Sequence, residues 1–267
     1  MQLRRVAAIV LRQLYLFRGS PIRVLPMMAW VAIDIVLWGF ITRYLDTVAG
    51  QKVNFLASLL GAVLLWDFLG RVMQGVTTAF FEDVWSRNFL NVFATPLRIS
   101  EYLTGLVATG VLSSLLGLAS MLLLATAVFG LSFFVYGAAL VPFVLVLFLT
   151  GIALGIFGTS IVLRFGPASE WLIWPIPSLL SPFVGVFYPL STLPAWMQAV
   201  GRALPPSYVF EGMRRIVAGG PADWSRLGVG AGLAVLYLAL AVTAFAAVHR
   251  LAIRSGLIAR YSAETTT

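Results

Sequence analysis

The sequence predicts an all-α integral membrane protein, and three observations predict it. Of 267 residues, 60% are hydrophobic and only 10% charged, with a mean hydropathy of +0.96. A soluble domain is typically about 45–50% apolar and about 25% charged, so one globular core cannot hide this excess and the solvent must be lipid. Six segments, roughly 24–45, 55–79, 102–129, 136–163, 171–190 and 227–249, each reach the length of about 20 mostly apolar residues that a spanning helix needs. Finally, the arginines flank these apolar runs instead of forming one patch, which is the pattern of membrane topology and argues against nucleic acid as a partner.

The chain reads as one membrane domain over 1–267: an interfacial helix over 1–20, a six-span bundle over 24–250 and a cytoplasmic tail over 251–267. Within 1–18, Leu3, Val6, Ala7, Val10, Leu14 and Phe17 fall on one helical face with Arg5 and Arg12 opposite, as in an amphipathic helix lying on lipid. Arg12 interrupts the apolar stretch and no small-residue cleavage pattern follows, so this segment reads as retained. Gly19-Ser20-Pro21 ends it. Six spans put both termini on one side. With that side cytoplasmic, eleven arginines lie inside against Arg43, Lys52, Arg202, Arg214, Arg215 and Arg226 outside, while Arg71 lies within the second span. The excess favours both termini inside.

The stretch EDVWSRNFLNVFATPLRIS, residues 82–100, follows the second span. On a helical wheel Trp85, Phe89, Val92 and Phe93 share one face, while Asp83, Arg87 and Asn91 point away. Glu82 and Asp83 suit the positive end of a helix, and Pro96 biases Thr95 out of the helical region. A short cytoplasmic helix with an apolar face is the expectation. The fifth span carries Pro175, Pro177, Pro182 and Pro189 in or beside it, so a kink or break is expected there. Beyond it, Pro194 starts a helix over 194–204, Pro205-Pro206 breaks the chain, and a second helix over 207–218 ends at Gly219-Gly220. Two short apolar helices predict a re-entrant extracytoplasmic hairpin.

Chemistry is sparse. There is no cysteine and one histidine, His249, which excludes disulfides, thiolate nucleophiles and a His-rich metal site. No Ser/His/Asp set or pair of acids is placed for catalysis, and the lone Lys52 lies in no phosphate-binding loop. Asp34, Asp67 and Arg71 are intramembrane charges and hence functional candidates. Asp67 and Arg71 stand four apart on one helix face and can pair. Gly151, Gly155 and Gly158 mark the fourth span for close helix contact.

Two motifs resemble those of ABC-2 type permeases, the membrane subunits of bacterial ABC exporters of drugs, polysaccharides and lipo-oligosaccharides. One is Phe81-Glu82-Asp83-Val84-Trp85 through Ala94-Thr95-Pro96-Leu97. The other is Tyr188-Pro189-Leu190-Ser191-Thr192-Leu193-Pro194-Ala195-Trp196, continuing through Leu204-Pro205-Pro206-Ser207-Tyr208 to Glu211-Gly212-Met213-Arg214. The resemblance implies a chain in the bacterial inner membrane that binds no cofactor itself. A separate ATPase subunit would hold ATP and Mg, and a second permease, identical or different, would complete the path within membrane lipid. It makes 82–96 a coupling helix, with Trp85, Phe89 and Phe93 as anchors and Glu82, Asp83, Arg87, Thr95 and Pro96 around them. It also makes Trp171, Trp174, Tyr188, Pro189, Leu193, Pro194, Trp196, Pro206, Tyr208, Glu211 and Arg214 candidates for the path and its outer gate. The alternatives are an ion-driven secondary transporter using Asp34 and Asp67, and a membrane-embedded enzyme, for which no catalytic cluster is present.

Overall fold

A computed structural model describes residues 3–19, 21–48, 56–85, 95 and 97–255. Among them run nine α-helices and no strand: α1 (Leu3–Gly19), α2 (Pro21–Val48), α3 (Gly61–Trp85), α4 (Ile99–Phe129), α5 (Leu140–Phe165), α6 (Ile176–Val184), α7 (Ala195–Ala203), α8 (Pro205–Val217) and α9 (Trp224–Arg254). A wide helical turn over Leu56–Leu60 leads into α3, and a tight one over Phe133–Ala139 leads into α5.

Four helical stretches are long and apolar enough to cross a membrane: Ser58–Trp85, Ile99–Phe129, Phe133–Phe165 and Trp224–Arg254. They coincide with the second, third, fourth and sixth expected spans. Helix α2 covers the first with 28 residues, about 42 Å of helix at 1.5 Å per residue. The fifth expected span is not a continuous helix. Residues 167–172 form a tight turn, α6 has only nine residues, and Gly185 (φ 68°) takes the left-handed conformation that ends it. The prolines thus do more than kink this segment: Pro175 and Pro177 start α6 and Pro182 lies in its last turn.

Helix α3 is the centre of the bundle. About two-thirds of its most apolar stretch is buried (67%), against 22% for α4 and 17% for α9, whose outer faces are exposed in the single chain. Small residues let α3 be approached from two sides. A Cβ on Gly75 would stand 2.8 Å from the Cα of Gly110 in α4. Cβ atoms on Gly151 and Gly155 of α5 would stand 2.8 Å from the Leu69 carbonyl and 3.0 Å from that of Met73. The glycine repeat of the fourth span is therefore the seam between α5 and α3, where backbones meet and dispersion replaces the hydrophobic effect that lipid cannot supply.

The paired short helices occur as expected, α7 and α8 joined through Leu204. Tyr237 of α9 donates to the Ala203 carbonyl (2.8 Å) and Ser207 to that of Gly201 (2.7 Å). Phe210 sets its ring against Trp66 of α3 at 6.0 Å. Helix α1 differs from expectation. Its arginines do not point away from the protein: Arg5 and Arg12 turn with Val6, Ile9 and Gln13 towards the bundle, and Leu3, Leu11 and Leu14 are exposed. The reason is electrostatic, because two buried acids await those arginines.

Candidate functional site

Helix α3 delivers the chain to the loop that follows it, and polar contacts fix both flanks of that loop. On the entry side Asp83 is buried, with 1% of its surface exposed. Arg12 of α1 reaches its carboxylate at 2.6 Å and the Tyr102 hydroxyl of α4 donates to it at 2.9 Å. On the exit side Glu101 is equally buried. It accepts from the Arg98 backbone N–H at 3.0 Å, capping the start of α4, and from Arg5 of α1 at 3.2 Å. Buried carboxylates are tolerated only when paired and hydrogen-bonded, and here one helix, α1, supplies both cations. Asp83 therefore braces α1, α3 and α4 and does not stand at an exposed rim as expected.

Trp85 closes α3, half exposed, and its indole N–H donates to Glu170 at 3.1 Å. Trp174 donates to the other oxygen of Glu170 at 3.3 Å. The rings of Phe81 and Trp174 are 6.3 Å apart. Glu170 thus ties the end of α3 to the start of the broken segment. Arg87, Phe89, Phe93 and Pro96 lie outside the described residues. Thr95 is described and exposed, and its carbonyl accepts from the Leu97 N–H at 2.7 Å.

A groove of about 820 Å³ opens along α3. Asp34 of α2 and Asp67, Arg71 and Glu82 of α3 line it, together with Trp30, Trp66, Trp85 and Trp174. The expected Asp67–Arg71 ion pair is not formed. Arg71 reaches across to Asp34 at 4.0 Å, and Asp67 lies beside both in the groove. Asp67 Oδ2 and Arg71 Nε are buried with no hydrogen-bond partner, so the groove offers polar groups that water or a passing ligand can satisfy. Carboxylates, one guanidinium and indole faces share this single groove, and no cluster of three or more metal-ligating side chains occurs among the described residues.

Of the other path candidates, Trp174 lies on the groove wall, whereas Trp171 is 80% exposed and off it. Tyr188 donates to the Pro182 carbonyl at 2.9 Å and holds the Gly185 turn. Glu211 accepts from the Leu190 N–H (2.9 Å) and from Arg214 (2.8 Å), stitching the turn after Pro189 to α8. Leu193 accepts from Gln198 at 2.9 Å, and Pro194 precedes α7. Trp196 is exposed and packs edge-on against Phe183 at 6.0 Å. Pro206 is buried, and Tyr208 donates to the Arg202 carbonyl at 2.8 Å. Apart from Trp171 and Trp174, which lie near Trp85, these candidates gather around the hairpin, far along α3 from Trp85.

Sequence reasoning missed Trp30, Trp66, Glu170, Glu101 and Tyr102. A signal existed for Trp30, which stands four residues before Asp34 and so shares its helix face.

No curated protein matches the sequence. The family profile described as ABC-2 family transporter protein matches residues 39–248, from the middle of α2 to the last turns of α9. That span contains the α3 wall of the groove, the segment after α3 and the hairpin, and it is most of the chain; Trp30 and Asp34 of the groove precede it. With its apolar helices and this match, the chain belongs to the ABC-2 family of transporter proteins.

Proposed function

We propose that this chain is the permease subunit of an ATP-driven exporter, paired with a second permease copy and driven by a separate ATPase chain that holds ATP and Mg. The observation that carries this reading is the bracing of the loop after α3: α1 is ion-paired to the last turn of α3 through Asp83 and to the first turn of α4 through Glu101. Flanks held together by one helix pass a push applied between them to α1, α3 and α4 at once. Trp85, Phe89 and Phe93 are the anchors that enter the ATPase, with Glu82, Arg87, Thr95 and Pro96 around them, since aromatic anchors with a polar rim are what an interface hot spot requires.

In this reading the chain crosses the bacterial inner membrane six times with both termini cytoplasmic. The fifth crossing is made by the broken segment. What supports this is its reach: Trp174 touches Phe81 near one end of α3, and Leu190 bonds Glu211 of α8, whose Phe210 meets Trp66 near the other end. The groove is one wall of the path, the substrate is amphiphilic, lipid-linked or a glycan, and the α7–α8 hairpin closes the outer end. ATP-driven closure of the ATPase pair pushes the braced loop, tilts α3 and α4, and opens the groove to the opposite side.

Reconstitution with a candidate ABC ATPase subunit is the test, with transport followed in Asp34→Asn and Asp67→Asn variants. Uptake that needs ATP and no ion gradient supports the permease reading, whatever the two substitutions do to substrate affinity. Uptake that ignores ATP, follows an ion gradient and collapses in either variant would establish a secondary transporter.

A further inference from the structure

We propose that the cavity between α7, α8 and the start of α9 binds a phosphate-bearing anion at the outer membrane interface. The cavity holds about 760 Å³. Arg202, Arg214, Arg215 and Arg226 line it, and so do two acids, Glu211 and Asp223. Glu211 is taken by Arg214 at 2.8 Å, and Asp223 is shared by Arg215 at 2.6 Å and Arg226 at 3.4 Å. Arg202 has only the neutral Gln198 side chain, at 3.1 Å. Four guanidinium groups against two carboxylates leave the cavity two positive charges in excess.

Two further observations point to a ligand. Arg214 Nε is buried in this cavity wall without a hydrogen-bond partner, a donor that an anion could satisfy. The four arginines also stand on the side of the membrane where the charge rule disfavours them. A second copy of the chain offers little to neutralise them. On the expected outer side the sequence has only Asp46 besides Glu211 and Asp223. Trp196 and Trp224, both exposed, lie on the helices that bound the cavity. Indole rings at the ends of membrane helices mark headgroup depth, where phosphate is the abundant anion. Guanidinium forks match phosphate oxygens in pairs. Either a lipid headgroup or the phosphate of an exported solute supplies that chemistry.

The placement on the outer face rests on the six-span reading, but binding itself does not depend on it or on any ATPase. The full chain in neutral detergent would be incubated with phosphatidylglycerol or with glycerol 1-phosphate, and bound molecules counted by native mass spectrometry. Wild type would be compared with Arg202→Gln plus Arg226→Gln, two exposed positions whose loss leaves the Arg214–Glu211 and Arg215–Asp223 pairs in place. The double variant should lose retention about tenfold, and Arg202→Lys plus Arg226→Lys should recover part of it. Arg250→Gln plus Arg254→Gln, at the far end of α9, should leave it unchanged. Loss confined to the lipid identifies a headgroup site, and loss seen with glycerol 1-phosphate identifies a site for a solute phosphate. Equal retention by wild type and the cavity variant, equal loss at the far-end control, or no retention by wild type would each overturn the proposal.

Discussion

At the loop end of the bundle Asp83 and Glu101 are buried and arginines of a single helix, α1, hold both. At the hairpin end Asp223 is partly exposed, serves two arginines, and leaves positive charge unspent. Both ends are rich in ion pairs, yet the pairs differ in kind. A buried carboxylate that loses its cation has nowhere to send its charge, so the loop end is mechanically committed. An exposed pair contributes little to stability, so the hairpin end keeps its charges available to something outside. Electrostatics braces the protein at one end and leaves it receptive at the other.

The largest effect is expected at Arg12. Arg12→Ala leaves Asp83 buried with only Tyr102 and should cost about 3 kcal/mol, the low end for a buried pair because a third of the Arg12 side chain is exposed. Chemical unfolding in detergent measures it. In Arg12→Ala plus Asp83→Asn the two losses should add to much less than their sum. Full additivity would mean that the two side chains do not depend on each other. Arg5→Ala comes next, at about 1 kcal/mol, because Glu101 keeps its bond from the Arg98 N–H and remains partly satisfied. If Arg5→Ala matched Arg12→Ala, the two flanks of the loop would be braced equally, not mainly through α3.

The smallest effect belongs to the hairpin end. The Arg226 backbone N–H is the largest effect and lowers the Asp223 carboxyl below its ordinary range. Burial, next in size, opposes it, and the Arg215 hydrogen bond and the Arg215 and Arg226 charges add to the lowering. A carboxylate with a lowered folded value stabilises above its unfolded pKa, about 3.9, and loses that contribution as pH falls through the folded value. Wild type should therefore melt slightly above Asp223→Asn at pH 7, with the two curves converging only below about pH 4. A large gap at neutral pH would place this end among the braces.

Much of the fold is legible in the sequence because apolar length and proline position act locally. The runs 102–129 and 227–249 become α4 and α9, and Pro194 and Pro205 mark the starts of α7 and α8. The fifth segment is legible only as an irregularity. Prolines announce that a helix fails but not where the chain goes next, and the turn at Gly185 depends on Tyr188 reaching the Pro182 carbonyl. The site is less legible. Arg12 and Asp83 lie 71 positions apart in sequence (83 less 12), and no periodicity within α1 says that its arginines face inward. Asp34 likewise meets Arg71 across two helices, where the local i,i+4 rule favours Asp67 as the partner. Glu170 has no motif of its own and becomes visible only when Trp85 and Trp174 converge on it.

Co-purification of the full chain with a candidate ABC ATPase subunit tests the coupling assignment most directly, comparing wild type with Trp85→Arg plus Phe89→Asp. The predicted result is that wild type retains the ATPase, while the variant inserts in the membrane and runs as wild type on gel filtration but retains none. Equal retention by both would contradict the assignment and leave the apolar face of the loop to the bundle itself.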